Sequence, residues 1–225
     1  MNAEKSMEYF MEDSTENSTE SQTALKVFST KRLKKYLYVK RITDIFLASI
    51  GMVLALPIIF ISALLIVLET PGSPFYTQER VGKNGKKFKL IKLRSMRTDA
   101  EKLGAKWAEA NDSRVTRVGA IIRKTRIDEL PQLLCVLKGD MSMIGPRPER
   151  PMFTEQFNRE IEGFKNRLLV KPGLTGLAQV NGGYDISPRE KLQYDLTYID
   201  NLSMLLELKI MIKTVKVLFT GEGAR

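Results

Sequence analysis

Between Asp44 and Glu69 the chain runs through 24 uncharged residues, IFLASIGMVLALPIIFISALLIVL. A straight helix of that length reaches about 36 Å, enough for a hydrocarbon core of about 30 Å. It is not a cleaved signal peptide: it is too long, begins too far from the N-terminus and lacks a small-residue cleavage site. Pro57 lies at its middle, removing a backbone donor and leaving arms of 12 and 11 residues that each reach only about 17 Å. Both flanks are basic. Residues 31–41 lie on one side, and residues 80–97 on the other carry eight Lys or Arg and no acid. Positive charge beside a membrane segment stays on the cytoplasmic side, so both ends are expected inside. Proline is tolerated in spanning helices too. A re-entrant helix broken at Pro57, covering 42–69, and a straight span therefore both stay open, and the flanks favour the first.

The pattern then changes period. PFYTQERV and KKFKLIKLRSM flank GKNG, and an Asn-Gly pair between two partly alternating runs predicts a β-hairpin. Phe88, Leu90 and Leu93 are expected to face the core, with Lys87, Lys89, Lys92 and Arg94 facing out. No Gly-Lys-Ser/Thr follows at the spacing of a Walker loop. TDAEKLGAKWAEAND reads as a short polar helix. Helical signals resume at Pro131 and stop at Lys138-Gly139, a cation in the last turn followed by a C-terminal glycine. In LLELKIMIKTVKVLFTGEGAR the cations Lys209, Lys213 and Lys216 share one helix face, with Leu205, Leu208, Ile212, Val215 and Phe219 elsewhere. That helix suits either the bilayer surface or the domain core. The expected fold class is α+β: a membrane-embedded helix-break-helix, then a small cytosolic domain (70–225) of helices with a β-hairpin and amphipathic interfacial helices.

Charge sharpens this outline. The 225 residues carry a formal net charge of +10. Residues 1–25 hold six acids and one Lys, with too few apolar groups to offset the entropy of ordering, and are expected to be a disordered acidic tail. Residues 26–41 hold seven Lys or Arg and no acid, interleaved with Phe28, Leu33, Tyr36, Leu37 and Tyr38. This basic juxtamembrane segment suits an anionic lipid surface. Nucleic acid is the competing partner for such a cluster, and the apolar run that follows favours lipid and no nucleic acid. There are no histidines, which removes Ser-His-Asp and Cys-His catalysis and His metal sites. The single cysteine, Cys135, sits in LPQLLCVL, where it reads as a buried small hydrophobe.

Catalysis must then use carboxylates, Lys, Arg, hydroxyls or a metal held by oxygen. TRIDELP sets Asp128 and Glu129 side by side near a helix N-terminus, after Arg123, Lys124 and Arg126. Helix capping is the plain reading of acids there. The functional reading is that the same field, with the Arg residues, keeps a carboxylate ionised and attracts phosphate, holding an Asp nucleophile beside a phosphate electrophile. Adjacent residues do not share a helix face, so a proton-sharing dyad is not expected. Arg147 lies between Pro146 and Pro148, which restrain its backbone and pin a guanidinium suited to phosphate; a proline-rich connector is the plain alternative. VKPGLTGLAQVNGG supplies Gly173, Thr175, Gly176, Gln179 and Asn181, a turn-rich stretch fit for a nucleotide or sugar.

The order KRITD, a proline-interrupted apolar segment, SPFYTQERVGKNGKKFKLIKLRSM, RKTRIDELPQLLCVLKGDMSMIGPRPERP and KPGLTGLAQVNG closely resembles the bacterial sugar transferases known as monotopic polyprenyl-phosphate sugar-1-phosphate, or phosphoglycosyl, transferases. The resemblance covers residues 39–225. It implies transfer of a sugar 1-phosphate from a UDP-sugar to undecaprenyl phosphate with release of UMP, an early membrane step of exopolysaccharide or capsule synthesis. It also implies a monotopic protein at the cytoplasmic face of the bacterial inner membrane, in contact with membrane lipid, and leaves a homo-oligomer open. By the same resemblance Asp128 is nucleophile and Mg2+ ligand, Glu129 supports the metal or acceptor, and Lys92, Arg123, Pro146, Arg147, Thr175 and Gln179 are substrate-binding candidates. Two departures stand out. Leu56 precedes Pro57 where many relatives have serine, and Gly182-Gly183-Tyr184 follows Asn181 where relatives often have arginine. Two other readings are a membrane-tethered basic binding module without catalysis, which gives no reason for the acidic pair, and a spanning protein with an external domain.

Overall fold

The structure, a computed structural model, describes residues 31–100, 112–182 and 186–220. The acidic tail, residues 26–30 of the basic segment, most of the polar helix expected over 98–112, and Gly183-Tyr184 lie outside the described residues.

The apolar run belongs to one long helix, α1 (Lys31–Glu69), with Pro57 inside it. The break expected at Pro57 is therefore not observed: helical structure continues through the proline. The packing explains this. Ala48, Ala55, Ile59 and Ile66 are buried and join the main core cluster with Phe88, Leu90, Leu93 and Leu133. Their spacing of seven, four and seven draws one stripe along the helix, and it continues on both sides of the proline, so one lost hydrogen bond is offset by contacts in both halves. Elsewhere on the helix Phe46, Val53, Leu54, Phe60 and Leu68 are exposed, an apolar surface far beyond what a water-facing helix carries.

Both ends of α1 are fastened to the same body. Near the N-terminal end Asp44 accepts from Ser142 Oγ at 2.8 Å and from the Met143 amide at 3.0 Å. Arg41 donates to the carbonyls of Val136 and Leu137. Lys40 pairs with Glu207 at 2.6 Å, and Glu207 also accepts from Tyr36 and Tyr198. At the other end the Glu69 carboxylate accepts from the amides of Arg117 and Val118, two free donors at the start of helix α2 (Arg117–Lys124). Thr116 caps the same helix through the Gly119 amide.

The hairpin forms as expected. Strands β1 (Phe75–Val81) and β2 (Lys87–Leu93) pair antiparallel with Val81 opposite Lys87, and Asn84 takes the left-handed φ of 55° in the turn. The facing of β2 needs correction. Period two puts Lys92 on the face of Phe88 and Leu90, and Leu93 on the other. Phe88, Leu90 and Leu93 are all buried, so both faces are covered at this end. Lys92 is half-buried and turned toward a cavity, and Arg94 is buried, donating to the Thr70 and Pro71 carbonyls.

A 3-10 turn, Ile127–Gln132, leads into α3 (Leu133–Lys138), which stops at left-handed Gly139 as expected from Lys138-Gly139. Cys135 is buried in the core. A two-stranded parallel sheet that the sequence did not announce joins β3 (Ser142–Ile144) to β4 (Gly173–Thr175). It is made possible by Gly145 and Gly173, where an added Cβ would lie 2.4 Å from the Lys171 carbonyl oxygen and 2.1 Å from the Gly145 nitrogen. Helices α4 (Pro151–Glu160), α5 (Leu177–Gly182), α6 (Pro188–Asp200) and α7 (Met204–Thr220), with a 3-10 turn over Phe164–Leu169, complete the described chain. In α7, Ile210 is buried while Leu205, Leu208, Ile212 and Val215 are exposed, so the helix packs on the core by one face and leaves an apolar face open.

Candidate active site

Three segments converge on one cavity of about 320 Å³, within the size range of small-molecule sites. Strand β2 supplies Lys92, the 3-10 turn supplies Asp128 and Glu129, and the loop after β3 supplies Arg147. Arg123, from the last turn of α2, and Gln179, from α5, also line it. The turn is set up by Arg126, whose left-handed φ of 57° ends α2 and lets the chain swing so that the acids face the cavity rather than continue the helix. Arg126, at the N-cap position of this turn, makes no side-chain cap bond.

The two carboxylates have separate environments. Glu129 makes a two-pronged pair with Arg147: its Oε1 accepts from Nη2 and its Oε2 from Nη1 at 3.3 Å. Burial pushes the Glu129 carboxyl up, but the Arg147 charge and hydrogen bonds outweigh it and hold the group below its usual range. Asp128 is buried. Burial first, and then the negative Glu129 beside it, raise its pKa from 3.8 to about 6, against the opposing pull of Lys92, Arg147 and Arg123. The expectation that the helix end and the arginines would hold Asp128 firmly ionised is thus reversed in direction, because desolvation is the larger effect. Lys92 is held below its ordinary range, first by burial. Its ammonium lies 5.5 Å from the centre of the Tyr76 ring, its cross-strand partner. The arrangement is a buried carboxylate among cations in the wall of an open cavity, suited to receiving phosphate.

Among the described residues there is no cluster of three or more His, Cys, Asp or Glu. Asp128 and Glu129 offer two carboxylates, and Glu129 is engaged by Arg147. That donor set fits Mg2+, which commonly takes one or two carboxylates and completes its shell with water and substrate phosphates. It does not fit zinc or a transition metal wanting nitrogen or sulfur.

The other candidates separate. Pro146 is buried and its carbonyl accepts from the Gly173 amide at 2.9 Å, a structural role. Thr175 is not brought into the cavity; its hydroxyl bonds that of Thr214 on α7 at 2.8 Å. Gln179 donates its amide to the Leu174 carbonyl, fixing its side chain in the wall. The sequence reading missed Tyr76, Arg80, Glu149 and Lys191 in the lining. It also missed the buried pair Arg167 and Asp195, at 2.7 Å. Arg80, on β1 two residues from Gln78, could have been found by period two, since both share the face of Tyr76. Nothing local marks Arg167.

The profile of the family described as bacterial sugar transferase matches residues 35–221. The chain belongs to the bacterial sugar transferase family. It is an enzyme, a phosphoglycosyl transferase by class. A Bacillus subtilis (strain 168) protein provisionally named an undecaprenyl-phosphate N-acetylgalactosaminyl 1-phosphate transferase is 60% identical over 168 residues, 75% of this chain and 90% of the relative. The Aeromonas hydrophila UDP-N-acetylgalactosamine-undecaprenyl-phosphate N-acetylgalactosaminephosphotransferase is 48% identical over 84% of this chain, which spans 46% of that protein. The Caulobacter vibrioides UDP-glucose:undecaprenyl-phosphate glucose-1-phosphate transferase is 40% identical over 82% of this chain and 71% of its own length. The matched region of the sugar transferase includes α1 from residue 35 onward, both acids, Arg147 and α7.

Proposed function

We propose that this enzyme transfers N-acetylgalactosamine 1-phosphate from its UDP donor to undecaprenyl phosphate. The observation that carries the reading is Asp128, a buried carboxylate in the cavity wall with Lys92, Arg123 and Arg147 all close enough to act on its charge. A binding module would have no use for that burial, which opposes an ionised acid. The choice of sugar rests on the names of two similar relatives.

In the first step an Asp128 carboxylate oxygen attacks the sugar-bearing phosphorus of the UDP-sugar. A P–O bond forms as the bond to the UMP oxygen breaks, UMP leaves with the bonding pair, and an aspartyl phosphosugar remains. In the second step an oxygen of undecaprenyl phosphate attacks the same phosphorus and Asp128 leaves as a carboxylate. Arg147 offsets the charge of the departing UMP phosphate, and Arg123 and Lys92 offset the charge at the transferred phosphorus. Glu129 holds Arg147 until phosphate arrives and, with Asp128, would hold Mg2+, whose contribution is further neutralisation of phosphate oxygens.

The mixture that tests the reading contains detergent-solubilised enzyme, Mg2+, undecaprenyl phosphate and a panel of UDP-sugars, with UMP followed. UMP is expected, fastest from UDP-N-acetylgalactosamine, with ping-pong kinetics. Excess EDTA is expected to stop release and added Mg2+ to restore it. UMP release from none of the panel would sink the proposal, and full activity in EDTA would sink the metal.

We further infer that both ends of α1 lie on the cytoplasmic side, with its exposed apolar surface set in that leaflet. Support comes from the bonds at both its ends to one body, Asp44 to β3 and Glu69 to α2, and from the exposed apolar residues between them. Single cysteines placed at Tyr38 and Ser73, in a Cys135→Ser background, are expected to react with a membrane-impermeant thiol reagent only from the cytoplasmic side. Labelling from opposite sides would establish a span.

A further inference from the structure

Resting on that reading, we propose that the buried pair Arg167 and Asp195 is a positioning device for Arg147. The loop Gly145 to Glu149 has few backbone donors of its own because Pro146 and Pro148 have no N–H. Its carbonyls are held from outside. Pro146 O accepts from the Gly173 amide at 2.9 Å, Pro148 O from Arg80 Nη1 at 2.9 Å, and Glu149 O from the Val81 amide at 3.0 Å. Arg147 O accepts from Arg167 Nη2 at 2.9 Å. The following proline biases Arg147 toward extended backbone, with ψ of about +120 to +160°, and within that range the direction of its carbonyl is fixed by a partner. Arg167 is that partner.

Arg167 is itself over-determined. It is 3% exposed, and Asp195, 2% exposed, takes its Nε at 3.0 Å and its Nη2 at 2.7 Å. Its Cζ lies over the Phe164 ring, 4.9 Å from the ring centre. Asp195 stands on α6 four residues after Lys191, which pairs with Glu149 at 2.9 Å. Helix α6 thus grips the Pro-Arg-Pro loop twice, once through Arg167 and once through Glu149. A pair serving the core alone would not need a donor on the carbonyl of the residue that presents the phosphate-binding guanidinium. Nη2 alone meets both Asp195 and that carbonyl while Nε meets Asp195 again; a lysine ammonium stops about one bond short of Nη2 and lacks the second donor.

The test is the effect of Arg167→Lys with and without Arg147. In the otherwise native enzyme, Arg167→Lys is expected to weaken UMP binding, measured by calorimetry, and to lower kcat/KM for the UDP-sugar, each by about tenfold. The kcat/KM for undecaprenyl phosphate is expected to change less than about twofold. In an Arg147→Ala background the same substitution is expected to change UMP affinity by less than about twofold. Asp195→Asn, which keeps an acceptor for Arg167, is expected to give the same pattern at smaller amplitude and covers the case in which Arg167→Lys does not fold. Equal effects with and without Arg147, or equal loss toward both substrates, would overturn the proposal and leave Arg167 a purely structural residue. An enzyme that binds UMP but releases none from any UDP-sugar would sink the transfer reading alone, because the coupling is read from UMP affinity.

Discussion

Asp128→Asn is expected to abolish UMP release and at the same time to make the ligand-free protein harder to unfold. Loss of the attacking oxygen removes the covalent route, so the rate should fall on the order of a thousandfold or more. The gain in stability follows from burial. The folded carboxyl has its pKa raised from 3.8 to about 6, so the folded state binds the proton more tightly than the unfolded state. Stability from this group is present in full below pH 3.8 and is lost as pH rises through 6; at pH 7 the buried anion opposes folding by about 3 kcal/mol. Asn removes that opposition. Lys92 and Arg123 lose a partner in the variant, but their attraction is already included in a net shift that runs upward. The thermal midpoint at pH 7 in EDTA should therefore rise by about 5 to 10 °C, and the difference from wild type should shrink toward pH 4. Normal turnover would refute the nucleophile. A midpoint that falls at pH 7 would show that the cations, not burial, dominate this carboxylate.

Local chemistry was the legible part of this chain. The apolar run, the Asn-Gly hairpin and the stop at Gly139 follow from residue spacing and left-handed turn positions. Asp128, Glu129, Arg147 and Lys92 were recognisable because a family pattern marks them, and the cavity brings them together. What stayed hidden depends on distance in sequence. Arg167 meets Asp195 28 residues away and Arg147 20 residues away, and no periodicity links them. The β3-β4 sheet has three residues per strand, too short to show alternation, and is fixed instead by close glycine contacts. The sign of the Asp128 shift was also out of reach, because it turns on how deeply the acid is buried, while the sequence displays only the neighbouring cations. Pro57 misled for the complementary reason: the rule for a proline in an isolated helix says nothing of the stripe from Ala48 to Ile66 that packs on either side of it.

Asp44→Ala is expected to give the largest loss of stability among single substitutions outside the cavity, and to lower activity through the site as well. Asp44 is 4% exposed and Ser142 is fully buried. The carboxylate accepts from Ser142 Oγ and the Met143 amide and lies 3.9 Å from the Lys40 ammonium. Alanine leaves two buried donors without an acceptor, at about 1 to 3 kcal/mol each, and leaves Lys40 to Glu207 alone. A total of about 3 to 5 kcal/mol is expected, a drop of roughly 10 °C in thermal midpoint. Asp44→Asn keeps one acceptor oxygen and should lose about half as much. The activity effect has a geometric cause. Ser142 and Met143 open β3, and β3 runs directly into Gly145, Pro146 and Arg147. Releasing its first residues from α1 loosens the same loop that Arg167 and Gly173 hold from the other side. Turnover measured well below the midpoint, where the variant is still folded, should therefore be reduced more than the folded fraction explains. A wild-type midpoint in Asp44→Ala would mean that the apolar stripe alone fixes α1. A lowered midpoint with unchanged turnover would mean that the anchor serves the membrane helix and not the phosphate-binding loop.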